Sequence, residues 1–146
     1  MDYIEAAQAL LQEKGVRAST IRINVLAYLL SHPTHPTVEH IYQALRKSML
    51  TLSKTTIYNT LDLFQQQNLV RVINIDEKEM RYDANTTEHG HFQCQECKAI
   101  TDFTIRCSTP DLPGFQIATR NIYYRGICAE CQTKKEELLN EKSNGN

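Results

Sequence analysis

The chain has no tryptophan and no internal repeat, and no apolar run approaches the roughly 20 residues that a membrane-spanning helix needs. Its N-terminus also lacks the basic region that opens a signal peptide. The lack of a membrane-length apolar run and of a signal-peptide pattern points to the cytoplasm, so we expect a cytoplasmic protein without a membrane partner. With 146 residues and ordinary hydrophobic content, the chain can form one domain or two small ones.

A strong charge of either sign is missing too, since 16 Lys and Arg residues stand against 17 Asp and Glu residues. The balance is uneven along the chain. Residues 1–75 carry seven basic and five acidic side chains, whereas residues 76–146 carry nine and twelve. The first half is therefore better suited to face a polyanion, and a dimer would double its basic surface.

Four of the five cysteines form two C-x2-C pairs, Cys94 with Cys97 and Cys128 with Cys131. Each pair can direct two thiolates at one ion, and four thiolates suit a closed tetrahedral zinc site. A reducing compartment favours metal binding over disulfides. The alternatives are a redox dithiol or a chance pairing. We predict a four-cysteine zinc site and a plain thiol at the fifth cysteine, Cys107.

A second group of ligand residues differs in kind from the cysteines. His89 and His91 are two residues apart, so on a strand both side chains point to one face. Asp102 follows on the expected returning strand, and Asp83 precedes the pair. Imidazole nitrogen and carboxylate oxygen suit Fe(II), Mn(II) or zinc. The alternative is a set of solvated polar side chains on an exposed strand.

Helical spacing of apolar residues predicts four helices in the first half of the chain. The first is expected to end at Gly15, and Ser19, Thr37 and Ser53 are predicted to begin the next three. His40 stands three residues after Thr37, where a capping box usually has Glu or Gln. We therefore expect no capping box at Thr37.

The hydrophobic period changes after Asn68, where residues 69–75 and 79–83 predict a β-hairpin with its turn at 76–78. Helices followed by a hairpin are typical of a winged helix-turn-helix domain, with 53–67 as the recognition helix. Arg81 on the return strand is available for phosphate contacts. Candidate DNA contacts are Lys54, Thr55, Thr56, Tyr58 and Asn59 on the helix, and Lys78 on the hairpin. The alternative is a small helical domain with a solvated polar face.

These patterns predict two domains joined by a linker. We expect a first domain over 1–83, a polar linker over 84–88 and a second domain over 89–146. The second domain is predicted to contain strands and one short terminal helix. The strands are expected at 90–94, 99–105, near 115–119 and at 121–127, and the helix at 134–142.

Several motifs together resemble the ferric uptake regulator (Fur) superfamily over nearly the whole chain, and within it the peroxide-stress regulators of the PerR type. The resemblance implies an α+β fold, with an N-terminal winged helix-turn-helix DNA-binding domain and a small α/β C-terminal dimerisation domain. The motifs are His35-Pro-Thr with Ile41-Tyr42, Thr56-Ile-Tyr58-Asn-Thr-Leu61, Asn68-Leu-Val70, Arg81-Tyr-Asp83, and His89 to Phe103 with Cys128 and Cys131.

The resemblance also implies a function. The protein is expected to be a homodimeric repressor, not an enzyme, that binds an inverted repeat in double-stranded DNA. The four-cysteine zinc is implied to be structural, and Arg17 and Arg22 join the expected DNA contacts. A regulatory Fe(II) or Mn(II) ion is implied between the domains, where its occupancy can select the DNA-binding conformer. Its implied ligands are His35, Asp83, His89, His91 and Asp102.

Asp102 is the residue that points to peroxide sensing, because iron-sensing relatives typically have Glu there and PerR-type proteins have Asp. The resemblance then implies that bound Fe(II) reacts with hydrogen peroxide, that His35 or His89 is oxidised, and that DNA is released. Mn(II) is expected to support DNA binding without this reactivity. The alternative within the family is a reversible iron- or zinc-responsive repressor.

Two features depart from the family pattern. Ser19-Thr-Ile-Arg22 stands where relatives have Thr-Pro-Gln-Arg, so a DNA contact at Ile21 is not expected to be kept. The segment from Phe103 to Phe115 is too short for the helix that relatives carry there, which predicts a smaller or differently built dimer interface. Outside the family, the alternatives are a zinc-ribbon interaction module and a zinc hydrolase using His89, His91 and Asp102.

Overall fold

The structure is a computed structural model that describes residues 2–75, 78–106 and 110–145. The chain divides into two compact units, Met1–Thr87 and Glu88–Asn146. The boundary between these units lies inside the segment 84–88 that we proposed as the linker. Among the described residues, no helix combines the length and the apolar character that crossing a bilayer demands.

Unit 1 begins with four helices, each started by a polar side chain that accepts hydrogen bonds from main-chain amides. Such caps satisfy amides that have no partner within the helix. The helices are α1 (Tyr3–Glu13), α2 (Thr20–Ser31), α3 (Val38–Leu45) and α4 (Lys54–Gln66), and their caps are Asp2, Ser19, Thr37 and Ser53. Gly15 follows α1 with a φ of +66°, a left-handed conformation that glycine adopts without strain.

A single apolar core joins these helices. Each helix contributes fully buried side chains, among them Leu11, Leu26, Ile41, Ile57 and Phe64. Burying one side chain of this size contributes about 1.5–3 kcal/mol. Because α4 turns Ile57 and Phe64 inward, its opposite face is left to the solvent.

The β-hairpin of unit 1 consists of β1 (Arg71–Ile73) and β2 (Arg81–Asp83), which pair antiparallel with Arg71 opposite Asp83. Both strands are shorter than the predicted 69–75 and 79–83. Of the predicted turn, Asp76 and Glu77 lie outside the described residues. Four helices followed by a hairpin confirm the predicted winged-helix outline.

The prediction that Thr37 has no capping box is wrong. Thr37 Oγ1 accepts a hydrogen bond from the His40 amide at 3.2 Å, and His40 Nδ1 accepts one from the Thr37 amide at 3.2 Å. An imidazole nitrogen thus takes the place of the usual Glu or Gln oxygen. The box fixes the start of α3 at Val38, three residues after His35.

Unit 2 contains a three-stranded sheet and one helix. Strands β3 (Gly90–Cys94), β4 (Ile100–Phe103) and β5 (Tyr123–Gly126) lie in the order β4-β3-β5, and α5 spans Ala129–Asn144. Strand β3 pairs antiparallel with β4 and parallel with β5. The register places His91 opposite Asp102, so the two side chains share one face of the sheet.

Unit 2 differs from the sequence prediction in the bounds of two strands, in one strand that is missing and in the bounds of its helix. Strands β4 and β5 are shorter than predicted, and residues 115–119 form no strand, since no described strand pairs with them. The terminal helix begins at Ala129 and not at 134, because Cys128 caps it. Among the described residues between β4 and β5, none is helical, as the prolines in this segment predict. Cys107 lies outside the described residues.

Candidate metal centres and nucleic-acid interface

Four cysteines of unit 2 converge on one point. Cys94 ends β3, Cys97 lies in the turn after it, Cys128 caps α5, and Cys131 lies in the first turn of α5. Their Sγ atoms lie within 4.8 Å of one another, and those of Cys97 and Cys128 are 3.9 Å apart. A tetrahedron with Zn–S bonds near 2.3 Å has S–S edges of about 3.8 Å. The cluster therefore has the dimensions of a four-thiolate zinc site.

Main-chain amides point at these sulfur atoms. The Cys128 amide donates to Cys94 Sγ at 3.4 Å, and the Cys131 amide donates to Cys128 Sγ at 3.5 Å. Hydrogen bonds from the Cys128 and Cys97 amides lower the pKa of Cys94 to about 6. The neighbouring thiols, Cys128 foremost, raise the pKa of Cys131 to about 12. Sulfur atoms this close cannot all ionise unless a cation compensates their charge, which is what zinc supplies.

A second ligand group of unit 2 lies across β3 and β4. The Asp102 carboxylate lies 3.6 Å from His89 Nε2 and 3.4 Å from His91 Nε2. The two imidazole rings meet edge to face, with centroids 4.5 Å apart. Both histidines are buried, whereas Asp102 is partly exposed. Two imidazoles and one carboxylate on one face are the donor set of many Fe(II) sites, and it also suits Mn(II) or zinc.

Gly90 separates the two histidines and leaves no room for a side chain. A Cβ atom at this position would overlap the ring of Phe103, its register partner on β4. Phe103 in turn stacks on Tyr124 of β5, with ring centroids 5.2 Å apart. Close packing across the strands therefore fixes the backbone that carries His89 and His91.

Unit 1 contains a third feature of this kind, a buried histidine beside a buried aspartate. His35 Nε2 lies 3.5 Å from Asp83 Oδ2. His35 has a φ of +59°, a left-handed conformation that costs a non-glycine residue about 1–3 kcal/mol. Hydrogen bonds from β2 hold this segment: Tyr82 N–H donates to the Pro36 carbonyl at 3.0 Å, and Arg81 Nη1 donates to the His35 carbonyl at 3.2 Å.

The residues that were predicted to bind DNA fall into two sets. Lys54, Thr55, Tyr58 and Asn59 lie exposed on α4, and Arg17 and Lys78 are exposed as well. Thr56 and Arg22 are engaged locally. Thr56 Oγ1 lies 2.8 Å from the cap oxygen Ser53 Oγ, and Arg22 Nη1 donates to the Arg17 carbonyl at 2.7 Å.

A groove of about 450 Å³ borders the start of α4. It is lined by residues from the first turn of α3, from α4 and from the hairpin, including Glu39, Lys54, Tyr58 and Lys78. Lys54 forms an ion pair with Glu39, which the sequence pattern did not reveal, because the two residues lie on different helices. The hydrogen bond from Arg81 to His35 was also missed, because the two residues lie 46 positions apart in the sequence.

Comparison with known proteins gives a consistent result. Residues 13–109 match the sequence model of the ferric uptake regulator family. Over 137 residues the chain is 34% identical to the peroxide-responsive repressor PerR of Staphylococcus aureus, an alignment that spans 90% of this chain and 93% of the relative.

Solved structures of similar fold include both iron and peroxide regulators. The ferric uptake regulator Fur of Helicobacter pylori aligns with a TM-score of 0.65 at 21% identity, over 89% of this chain and 91% of its own. The peroxide stress regulator of Campylobacter jejuni aligns with a TM-score of 0.62 at 23% identity, over 90% of this chain and 100% of its own. PerR of Streptococcus pyogenes aligns with a TM-score of 0.51 at 24% identity, over 90% and 95%. The chain belongs to the ferric uptake regulator family, whose members are metal-binding, DNA-binding transcription regulators and not enzymes.

Proposed function

We propose that this chain is a homodimeric, metal-dependent repressor that binds an inverted-repeat DNA operator and senses hydrogen peroxide through oxidation of ligand histidines. The observation that carries the proposal is the carboxylate of Asp102 facing His89 and His91. An aspartate has a shorter arm than the glutamate of iron-sensing relatives. The shorter side chain supports the proposal that one coordination position of the metal is left open for peroxide.

The regulatory ion is proposed to use all five nitrogen and oxygen ligands. Unit 1 offers two of them and unit 2 three, so neither unit alone completes the set. An ion bound to both sets would favour one arrangement of the units, and its occupancy would thereby shift the population that binds DNA. The proposed ligands are His35, Asp83, His89, His91 and Asp102, with Fe(II) or Mn(II) as the metal.

The four cysteines are proposed to have a structural role. Cys94 and Cys97 flank the end of β3, whereas Cys128 and Cys131 begin α5. A zinc ion bound to all four would join the sheet to the helix. Because α5 has no buried residue among those described, the metal would replace the apolar contacts that normally dock a helix.

His35 and His89 are the proposed sensing residues. When bound, Fe(II) supplies the electrons that activate hydrogen peroxide. Both rings are buried, so an oxidant generated beside them meets an imidazole C–H bond before it reaches bulk water. In the net reaction one oxygen atom of hydrogen peroxide enters that C–H bond and the other leaves as water. The altered ring is a poorer ligand, so metal and then DNA are released.

DNA binding is proposed to use the exposed face of α4 as the recognition surface and the hairpin as the wing. Lys54 and Lys78 can neutralise phosphates, while Thr55, Tyr58 and Asn59 can donate to phosphates or base edges. Arg17 adds a charge before α2. Thr56 and Arg22 are proposed to support this surface through the local hydrogen bonds that they already make.

Mass spectrometry tests the sensing mechanism. The zinc-containing protein is loaded with Fe(II) or with Mn(II), exposed to a small excess of hydrogen peroxide and digested. We expect one added oxygen on the peptide with His35 or on the peptide with His89, in the iron sample only. Unmodified histidines together with iron-dependent DNA binding would instead identify a reversible metal sensor. Oxidation at cysteines alone would identify a thiol switch.

A further inference from the structure

Glu39, in the first turn of α3, has both carboxylate oxygens engaged. Oε2 forms the ion pair with Lys54 Nζ, and Oε1 accepts a hydrogen bond from Gln43 Nε2 at 2.8 Å. Gln43 lies one helical turn after Glu39, so α3 itself orients the carboxylate toward Lys54. Hydrogen bonds from Lys54 and Gln43 lower the pKa of Glu39, which keeps the carboxylate ionised at neutral pH.

Lys54, the first residue of α4, is held by two groups of α3. Besides the Glu39 carboxylate, the ring of Tyr42 lies beneath the ammonium group, with 5.4 Å from Nζ to the ring centroid. The hydrogen bond with Glu39 raises the pKa of Lys54, so the lysine remains charged. The cation that leads the proposed recognition helix is therefore already compensated by an acid of the same chain.

The pair stands where DNA is proposed to bind. Glu39 and Lys54 line the same 450 Å³ groove as Tyr58 and Lys78, two further residues of that surface. Both members of the pair are partly exposed, at 41% for Glu39 and 51% for Lys54. An exposed ion pair is weak and exchangeable, so a DNA group of the right geometry can displace the carboxylate.

We propose that Glu39 is a specificity-determining residue of DNA binding, which cancels the charge of Lys54 toward nonspecific DNA and yields it only to a correctly placed operator group. The proposal rests on the proposed use of α4 as the recognition helix. A phosphate that merely exchanges with the carboxylate gains little, because Lys54 was already neutralised. A well-placed operator group gains a favourable contact geometry in addition to the charge interaction. Glu39 therefore lowers the affinity for other sequences more than it lowers the affinity for the operator.

The effect of Glu39 on Lys54 can be measured through counterion release, as the salt dependence of DNA binding. Each phosphate that a protein neutralises on duplex DNA contributes about −0.9 to the slope of log K against log salt concentration. With Glu39 in place, Lys54 adds little to that slope on nonspecific DNA. Removing the acid should let Lys54 neutralise one phosphate, so the slope should become steeper by about 0.9 per subunit in contact with DNA.

The test uses the full-length, zinc- and Mn(II)-loaded protein and fluorescence anisotropy with two labelled duplexes. One has a random sequence, and the other is selected by the wild-type protein from a random library. Glu39→Gln keeps the hydrogen-bonding shape and removes the charge. We expect it to bind the random duplex several-fold more tightly at 50 mM salt, with the steeper slope. Its preference for the selected duplex should fall correspondingly.

Two further variants make the result specific. Glu13→Gln removes the same charge from the end of α1 and should leave slope and preference unchanged. Glu39→Gln combined with Lys54→Gln should return the slope on random DNA to the wild-type value. A thermal melt of each variant shows whether the fold is kept.

A wild-type slope for Glu39→Gln on random DNA, or an equal change in Glu13→Gln, would overturn the proposal. So would an unaltered preference for the selected duplex. Failure of the proposed function would give a different result, because the wild-type protein would then bind neither duplex in a metal-dependent way.

Discussion

Arg81 donates a hydrogen bond from its guanidinium group to the main-chain carbonyl of His35, which lies 46 residues earlier in the sequence. The next residues along both segments are also joined, because the main-chain amide of Tyr82 donates to the Pro36 carbonyl. Strand β2 therefore holds His35 through its backbone and ends at Asp83, the aspartate beside the His35 ring. The hairpin and this histidine–aspartate pair form one connected piece of structure.

Arg81→Ala should weaken binding of the regulatory metal by about 10–100-fold, the usual effect of removing a group that orients a metal ligand. The left-handed conformation of His35 would lose one of the contacts that maintain it. Competition titration with Mn(II) measures the dissociation constant. Arg46→Ala, which removes an equal charge from the end of α3, serves as the control. If Arg81 acts only as a DNA contact, both variants will bind Mn(II) like the wild type.

Gly90→Ala should destabilise unit 2 by about 1–3 kcal/mol, because the new methyl group overlaps the Phe103 ring. The strand must shift to accommodate it, which moves His89 and His91 away from Asp102. Urea unfolding and Mn(II) titration together measure both effects. Adding Phe103→Leu should recover part of the lost stability. Equal stability of Gly90→Ala and the wild type would show that the ring can move aside freely.

His40→Ala should cost about 0.5–2 kcal/mol of stability, since the Thr37 amide loses its acceptor. His40→Gln should cost less, because glutamine is a usual partner in a capping box. Urea unfolding of the two variants gives the comparison. Identical losses would mean that the imidazole contributes something other than the hydrogen bond to Thr37.

Cys131→Ser should abolish stoichiometric zinc binding and unfold much of unit 2, because three thiolates leave the tetrahedral site open. Zinc content by elemental analysis and circular dichroism report the two effects. Cys107→Ser is the matched variant, since Cys107 belongs to neither C-x2-C pair, and it should retain one zinc per chain. Zinc retained in full by Cys131→Ser would argue against the four-cysteine site.

Asp102→Glu should separate metal binding from peroxide sensing. The variant keeps a carboxylate near His89 and His91, so we expect Mn(II)-dependent DNA binding to remain. Its longer arm is expected to fill the open position, which should lower histidine oxidation in the iron-loaded protein by at least about tenfold, or about 1.4 kcal/mol in activation free energy. Peptide mass spectrometry after peroxide exposure measures the ratio. Undiminished oxidation would remove Asp102 from the explanation.

Local signals in the sequence were sufficient for much of the fold. Ser19 and Ser53 begin helices as predicted, and Gly15 follows the end of the first one. The alternation of His89, just before β3, and His91, on β3, predicted that both rings lie on one side, where Asp102 meets them. These features depend on residues that are near in sequence or on the simple period of a strand.

Features that depend on distant partners could not be predicted in this way. The conformation of His35 is maintained by β2, and the pairing of Lys54 depends on how α3 and α4 pack. The missing strand at 115–119 has the same cause, because a suitable sequence forms no strand without a neighbour to pair with. His40 was a different error, since the usual residue preference overlooked imidazole nitrogen as an acceptor.

Strand β3 carries ligands of two kinds, with His91 on one face and Cys94, three residues later, on the other. A strand whose end is not anchored by its thiolates cannot present its imidazoles accurately. We therefore expect an order of maturation in the cell: a newly made chain must acquire zinc before it can respond to iron, manganese or peroxide. Zinc supply would then set how many sensors a cell possesses, whereas peroxide, under the proposed sensing mechanism, would set how many of them remain intact.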